Sequence, residues 1–372
     1  MNADCYPIVE FVAETGDRNP NDKVKYIGAV LAKISDTCTL ETMLTGEVRN
    51  WIIRHLIKYL VNKRKYKKLK KKPEIFFRDS KSKFIQYLGR YYMRGNSTIV
   101  FYWRKQFKEY FDSHDMERKV EDLKKGMDDI SARYIDHFMK LSKFWFKSTY
   151  IGNQWTEYDI KKKNGCIEFS KTLEQPFPEI LKINPYYYYD IYGLADLPKE
   201  VLSSIDGKTI IDGGGLNGDT ALVFHRHFPN SEIHVYEPLE RFVDIIYRFL
   251  AVDCCNNKII PINKGLGDKV TRTFIMGYNI ADITTVDSEY QNTDKQIGLI
   301  KLDTEGMETN IIKGAEKVIA RDKPVLAIAI YHRPEDFFEL KDKVKAMNSK
   351  YRFMIRKSEP SLPQADLVLI AY

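Results

Sequence analysis

The residues predict an α/β fold, a doubly wound and mostly parallel sheet ending in an antiparallel hairpin, preceded by a mainly helical region. Three observations lead there. From residue 201 onward, short apolar or β-branched runs alternate with helical periods. A glycine-rich segment, IIDGGGLNGDTAL, joins the first such strand directly to the first such helix. Residues 1 to about 150 instead set their apolar and aromatic side chains at helical spacing.

A chain of 372 residues favours one large domain with a smaller one, and an apolar fraction of 44% is that of an ordinary globular protein. The expected division is a helical region at 1–150, a connecting segment at 151–200 and the α/β domain at 201–372. No apolar run approaches the roughly 18 residues that span a bilayer, and residues 1–25 lack a basic-then-apolar signal. The five cysteines (Cys5, Cys38, Cys166, Cys254, Cys255) are scattered without metal-ligand spacing, which fits idle thiols in a reducing cytoplasm.

The first helix runs from about Leu40 to Lys72, with Leu40, Met43, Leu44, Val48, Trp51, Ile52, Leu56 and Leu60 on one face and Pro73 as its stop. Thr39 or Thr42 could cap it. Its end, Lys63 to Lys72 (KRKYKKLKKK), is eight-tenths basic. Residues 51–100 hold 15 Lys/Arg against Glu74 and Asp79, a local +13 that leaves −5 for the rest of a chain of net +8. A solvated helix end is the plainest account of that charge. An anionic membrane surface comes second and nucleic acid third, because no RNA-binding motif accompanies it. A second periodic segment, Met116 to Trp145, places Val120, Leu123, Met127, Ile130, Tyr134, Phe138, Leu141 and Phe144 on one stripe. Such a stripe suits a helix packed on a neighbour, in this chain or in a second copy of it.

The rhythm changes near Pro185, where NPYYYYDIYGLADLP is a turn-rich aromatic run. Beyond it, strands are expected at Thr209–Ile211, Glu232–Tyr236, Lys258–Asn263, Leu299–Leu302 and Val325–Ile330. Helices are expected at Ala221–Phe228, Leu239–Leu250, Met307–Ala320 and Pro334–Asn348. Tyr351–Ile355 and Asp366–Ala371, joined through Pro360 and Pro363, read as the closing hairpin.

The glycine segment admits two readings. Gly213-x-Gly215-x-x-Gly218 is a dinucleotide fingerprint, whose pyrophosphate would lie on a helix N-terminus. Asp212-x-Gly214-x-x-x-Gly218 is the loop of a sulfonium cofactor. A carboxylate at Asp212 would repel a pyrophosphate and attract the sulfonium and ammonium of S-adenosylmethionine, so the second reading is preferred. Gly214, Gly215, Asn217 and Gly218 are then cofactor contacts, the glycines letting the backbone pass close. Glu237, about 19 residues beyond Gly218 at a strand end, is placed to accept ribose hydroxyls. Asp268, in Gly265-Leu266-Gly267-Asp268, is either an adenine partner or part of a plain tight turn.

At this point DGGGLNGDT (Asp212 to Thr220), Tyr236-Glu237-Pro238, Thr284-Thr285-Val286-Asp287, IKLDTEG with Glu308, Lys313-Gly314-Ala315 and Tyr331-His332 with Glu335-Asp336 are together similar to FkbM-type methyltransferases in order and spacing. The resemblance covers roughly residues 185 to 372. It implies a class I methyltransferase, a Rossmann-like sheet with a terminal hairpin. It further implies S-adenosylmethionine-dependent O-methylation, commonly of surface-polysaccharide sugars or of secondary metabolites. Gly215 stands where such loops often carry Ala or Asn, a change expected only to loosen the turn.

Methyl transfer needs alignment of donor and acceptor and a place for the acceptor's proton. Beyond the carboxyl ends of the strands lie Asp303, after LIKL, and His332, after VLAIAIY. A histidine near its ordinary pKa is the natural general base, set against a histidine that merely caps the next helix. Asp303 could orient the hydroxyl, meet the cofactor's amino group, or bind Mg²⁺ with Glu305 or Asp336. Glu308 either helps seal the site or lies on a solvated helix face. A nicotinamide-dependent oxidoreductase and a non-catalytic cofactor-binding scaffold are the readings of other classes.

Overall fold

The computed structural model describes residues 98–145, 156–170, 185–251, 258–275, 279–358 and 366–372. They belong to a compact unit running from Arg94 to Tyr372. The helix expected over Leu40 to Lys72 with its basic end, and Cys5, Cys38, Cys254 and Cys255, lie outside the described residues. Cys166 is a buried thiol. Among the described residues no helix is long and apolar enough to cross a membrane.

The strands are β1 (Thr209–Gly213), β2 (Ile233–Tyr236), β3 (Ile259–Ile262), β4 (Gly265–Leu266), β5 (Thr271–Ile275), β6 (Asn279–Thr284), β7 (Ile297–Leu302), β8 (Val325–Ala329), β9 (Phe353–Lys357) and β10 (Leu367–Ala371). The helices are α1 (Thr98–Ser113), α2 (Met116–Lys124), α3 (Asp129–Trp145), α4 (Glu157–Ser170), α5 (Pro185–Asp190), α6 (Lys199–Ser203), α7 (Asp219–His227), α8 (Glu240–Leu250), α9 (Val286–Tyr290), α10 (Glu308–Lys313), α11 (Glu316–Asp322) and α12 (Pro334–Met347).

One sheet takes the order β3-β2-β1-β7-β8-β10-β9. Neighbours from β3 to β8 pair in parallel, whereas β10 runs antiparallel to both β8 and β9. This is the class I methyltransferase arrangement, terminal hairpin included. Strands β1, β7 and β8 are buried along their whole length because helices cover both faces, which is why they read as apolar runs interrupted only by Thr209, Asp212 and Lys301. Ile211, Ile300 and Ile328 face one core, shared with Phe107, Phe138, Phe337 and Phe338 of the helices. Ile210, Leu299 and Ala327 face the other, against Leu222, Phe224 and Ile246.

The segment Met116 to Trp145, expected as one helix, is two. Gly126 adopts φ 75° and breaks it, and Lys341 of α12 closes the end of α2 by donating to the carbonyls of Asp122, Leu123 and Lys125. The apolar stripe still faces inward, with Leu123, Tyr134, Phe138 and Leu141 buried. Phe138 stacks on Phe337 at 3.9 Å between centroids. The expected helix Met307–Ala320 is likewise two, α10 and α11. A Cβ at Gly314, between them, would lie 2.1 Å from the Gly267 carbonyl oxygen, so only glycine lets the chain pass there. A second sheet, β4-β6-β5, was not predicted; the exposed face of its β5–β6 pair mixes Arg272 and Asp282 with Phe274 and Ile280.

Helix α3 covers the β9 edge. Ile355 donates its backbone N–H to Ser131 Oγ at 2.7 Å, and Arg356 pairs with Asp128 at 2.6 Å and with Asp196.

Phe138→Ala should destabilise the unit by about 3–5 kcal/mol in denaturant unfolding, because a stacked aromatic leaves a cavity between helix and sheet. The Asp128 carboxyl gives a pH dependence. Burial opposes its charge, but the bonds from Arg356 and Ser131 outweigh it and hold its pKa at about 2. A folded pKa below the unfolded value, about 3.9, means the stabilisation is present above pH ~4 and is lost as pH falls toward 2. Asp128→Asn should flatten that part of the acid unfolding curve.

Candidate functional site

The sheet's strand order reverses between β1 and β7, and the predicted site residues gather beyond their carboxyl ends. Gly213 pairs with Leu302, and the Asp303 N–H donates to the Gly213 carbonyl at 3.1 Å. Gly214, at φ 77°, passes so close to β7 that a Cβ would stand 1.9 Å from the Asp303 carbonyl oxygen. Gly215 does more than loosen the turn, contrary to expectation. A Cβ there would meet Val235 Cγ1 at 2.0 Å, so β2 demands the glycine. Gly218, at φ 83°, is the N-cap of α7, and Asn217 Oδ1 accepts from the Asp219 N–H at 3.4 Å.

Asp212 sits at the end of β1 with no exposed surface. Its carboxylate pairs with Lys301 Nζ at 2.9 Å and accepts the Thr220 hydroxyl at 2.6 Å. This corrects the charge argument made for it: the carboxylate is balanced inside the protein by an equally buried ammonium and does not stand open to a cofactor. Lys301 also donates to the Gly214 carbonyl at 3.0 Å and so ties the loop to β7. Burial opposes its charge, yet Asp212 and Asp303 keep its pKa above the ordinary lysine value.

Glu237 is buried and accepts two backbone N–H groups, from Leu216 at 3.0 Å and Leu239 at 2.9 Å. Burial raises its carboxyl pKa against those bonds. A carboxylate has further lone pairs, so ribose hydroxyls can still be accepted. Asp268 is exposed just beyond β4, with Lys313 at 3.8 Å.

On the other side of the crevice, Asp303 accepts the Tyr192 hydroxyl at 2.8 Å and the Tyr331 hydroxyl at 3.3 Å. His332 is fully buried. Its Nδ1 lies 3.0 Å from Glu308 Oε1, and its Nε2 lies 3.6 Å from both Asp303 Oδ1 and Glu305 Oε2. Burial disfavours the imidazolium, but the Glu308 bond and the charges of Glu308, Asp303 and Glu305 overcome it and raise the pKa to about 9. The expected histidine near its ordinary pKa is therefore corrected to one that carries its proton at neutral pH. Glu308 lies on no solvated face; it is wholly buried. Asp336 is buried and accepts the Thr309 hydroxyl at 2.7 Å, and the clustered ligand atoms are those of Asp303, Glu308 and His332.

Residues 212–354 match the family model described as the methyltransferase FkbM domain. The match covers 143 of the 372 residues, under half of the chain. Among solved structures, the FkbM methyltransferase of Methylobacillus flagellatus is 20% identical, over 65% of this chain and 59% of that one, at a TM-score of 0.42. The chain thus spans under two thirds of that protein's length. An O-methyltransferase from Bacillus cereus in complex with SAH is 14% identical over 58% of this chain and 97% of that one, at a TM-score of 0.36. None of the curated proteins matches.

Three residues of this crevice went unread in the sequence: Lys301, Tyr192 and Asp219. Burial pushes the Asp219 carboxyl pKa up to about 6, with Asp212 and Asp303 adding to the rise. Lys301 alone carried a signal, as a lysine inside an otherwise apolar strand.

Lys301→Met should cost about 3–5 kcal/mol in chemical denaturation, since it leaves Asp212 as a lone buried charge. Adding Asp212→Asn should recover much of that loss, which a double-mutant cycle would measure.

Proposed function

We propose that this chain transfers the methyl group of S-adenosylmethionine to a hydroxyl of a sugar, in a surface polysaccharide or its nucleotide- or lipid-linked precursor. One observation supports this above the others: Gly214 of the donor loop and the backbone of Asp303 are in direct contact. A cofactor lying on the glycines therefore has the acid–histidine cluster of Asp303 and His332 beside it. Glu237 would hold the ribose and Asp268 the adenine edge.

The hydroxyl oxygen attacks the methyl carbon, the carbon–sulfur bond breaks, and S-adenosylhomocysteine leaves. The hydroxyl proton passes to the Asp303–His332 pair, with His332 as the candidate base once its own proton has left. Tyr192 and Tyr331 hold Asp303 in place for this. A secondary-metabolite hydroxyl is the alternative acceptor. The location consistent with this role is cytoplasmic, with Lys63 to Lys72 as a candidate contact to the inner membrane face and the N-terminal helices as a candidate dimer contact.

Calorimetry should detect S-adenosylmethionine and not NAD; the reverse result would restore the oxidoreductase reading. Labelled methyl should appear on sugar acceptors. Asp303→Asn and His332→Ala should each lower turnover by about 10²-fold or more while changing cofactor affinity little. Unchanged turnover in both would remove the pair from the chemistry. Cofactor binding without transfer to any acceptor would favour a scaffold.

A further inference from the structure

We infer that His332, Asp303 and Glu305 form a divalent-cation site, with Glu308 fixing the histidine from behind.

The geometry resembles a ligand set more than a set of hydrogen bonds. His332 Nε2 stands 3.6 Å from Asp303 Oδ1 and 3.6 Å from Glu305 Oε2, beyond hydrogen-bond length to either. An ion bonded to two such atoms at roughly 2.1 Å would see them about 120° apart, within the range of a tetrahedral or slightly opened site. The other ring nitrogen is already committed, since Nδ1 lies 3.0 Å from Glu308 Oε1. A carboxylate on the far nitrogen is the arrangement that fixes the tautomer and ring plane of a metal-ligating histidine.

Glu308 supplies an independent indication. It has no exposed surface, and its second oxygen, Oε2, has no hydrogen-bond partner among the described residues. Ligand atoms of Asp303, Glu308 and His332 also lie within 4.8 Å of one another. Such a buried carboxylate is costly unless positive charge stands near it; the protonated His332 ring supplies that charge, and an ion that displaces the Nε2 proton to solvent would take over the same role.

The solvent-side member is Glu305, whose side chain is 61% exposed. It sits in a left-handed turn, φ 55°, followed by Gly306 at φ 96°, so the loop after β7 turns this carboxylate back over the histidine. An ion would enter from that side. The imidazole nitrogen favours a transition ion of the Mn²⁺ or Zn²⁺ kind over Mg²⁺, which prefers an all-oxygen set. Resting on the O-methylation reading for its role, the ion would coordinate the acceptor hydroxyl and lower its pKa beside the methyl donor. Ion binding itself is independent of that reading.

The test uses the full chain stripped of metal, with Mn²⁺ followed by electron paramagnetic resonance and Zn²⁺ by calorimetry, with and without S-adenosylhomocysteine. One ion per chain is expected. Asp303→Asn and His332→Ala should abolish tight binding. Glu308→Gln, which touches only the far ring nitrogen, should weaken it about tenfold or more. The exposed Glu316→Gln should bind like the parent. S-adenosylhomocysteine affinity reports whether each variant is folded, and Asp303→Asn, nearly isosteric and only partly buried, keeps the test open if His332→Ala fails to fold. No stoichiometric uptake, or uptake indifferent to Asp303→Asn and Glu308→Gln, overturns the inference. Methyl transfer that persists in EDTA while Mn²⁺ does not bind would sink the metal and leave the transferase reading standing. Mn²⁺ uptake without S-adenosylhomocysteine binding would do the opposite.

Discussion

The contact between Gly214 and the Asp303 carbonyl sets the distance between the two halves of the site. It arises because β1 and β7 are parallel neighbours that end level, Gly213 opposite Leu302. A side chain at 214 would drive the loop off the strand end, since 1.9 Å is far inside any real contact. Lys301 then locks the arrangement from below. It is buried between the strands, satisfies Asp212 by charge and the Gly214 carbonyl by a hydrogen bond, and leaves the loop little freedom to drift. Breaking such a buried pair costs more than making it gains, so these residues act as a constraint on shape more than as a source of net stability.

That pairing also moves the electrostatics of the site. With Asp212 neutralised, attraction for a cationic sulfonium has to come from elsewhere on the same edge. Asp303, Glu305 and Glu308 surround a single histidine, so acids outnumber bases there even when His332 carries its proton. The negative potential therefore lies on the acceptor side of the crevice, where the methyl group must point. A dinucleotide pyrophosphate laid along Gly213 to Gly218 would face this cluster, which disfavours it.

Much of the fold was legible because burial on two faces forces near-continuous apolar runs, and β7 and β8 are such runs but for Lys301. Helix limits were less so. Gly126 and Gly314 end helices that apolar periodicity alone would carry through, the one by its backbone angle and the other by its approach to Gly267. Strands β5 and β6 escaped notice because their pattern is broken by charged residues such as Arg272 and Asp282, which pair across the two strands on an exposed face. In the site, residue types at strand ends were readable, and their charge states were not. His332 draws its raised pKa from residues 24 to 29 positions earlier in the chain, and no local window brings those acids together.

The motif residues that pointed to the family divide, in the structure, into frame and chemistry. Thr285 caps α9 in a reciprocal box with Ser288, Asp287 accepts the Lys317 and Val318 N–H groups that open α11, and Gly314 makes room for the β4 turn. None of these faces the crevice between β1 and β7. Their shared effect is to hold the β7-to-β8 crossover at one height, and with it the positions of Asp303 and Glu308 at the near end and His332 at the far end. A substitution at Asp287 or Gly314 would thus disturb the cluster through the crossover helices, without removing any group that could touch a substrate.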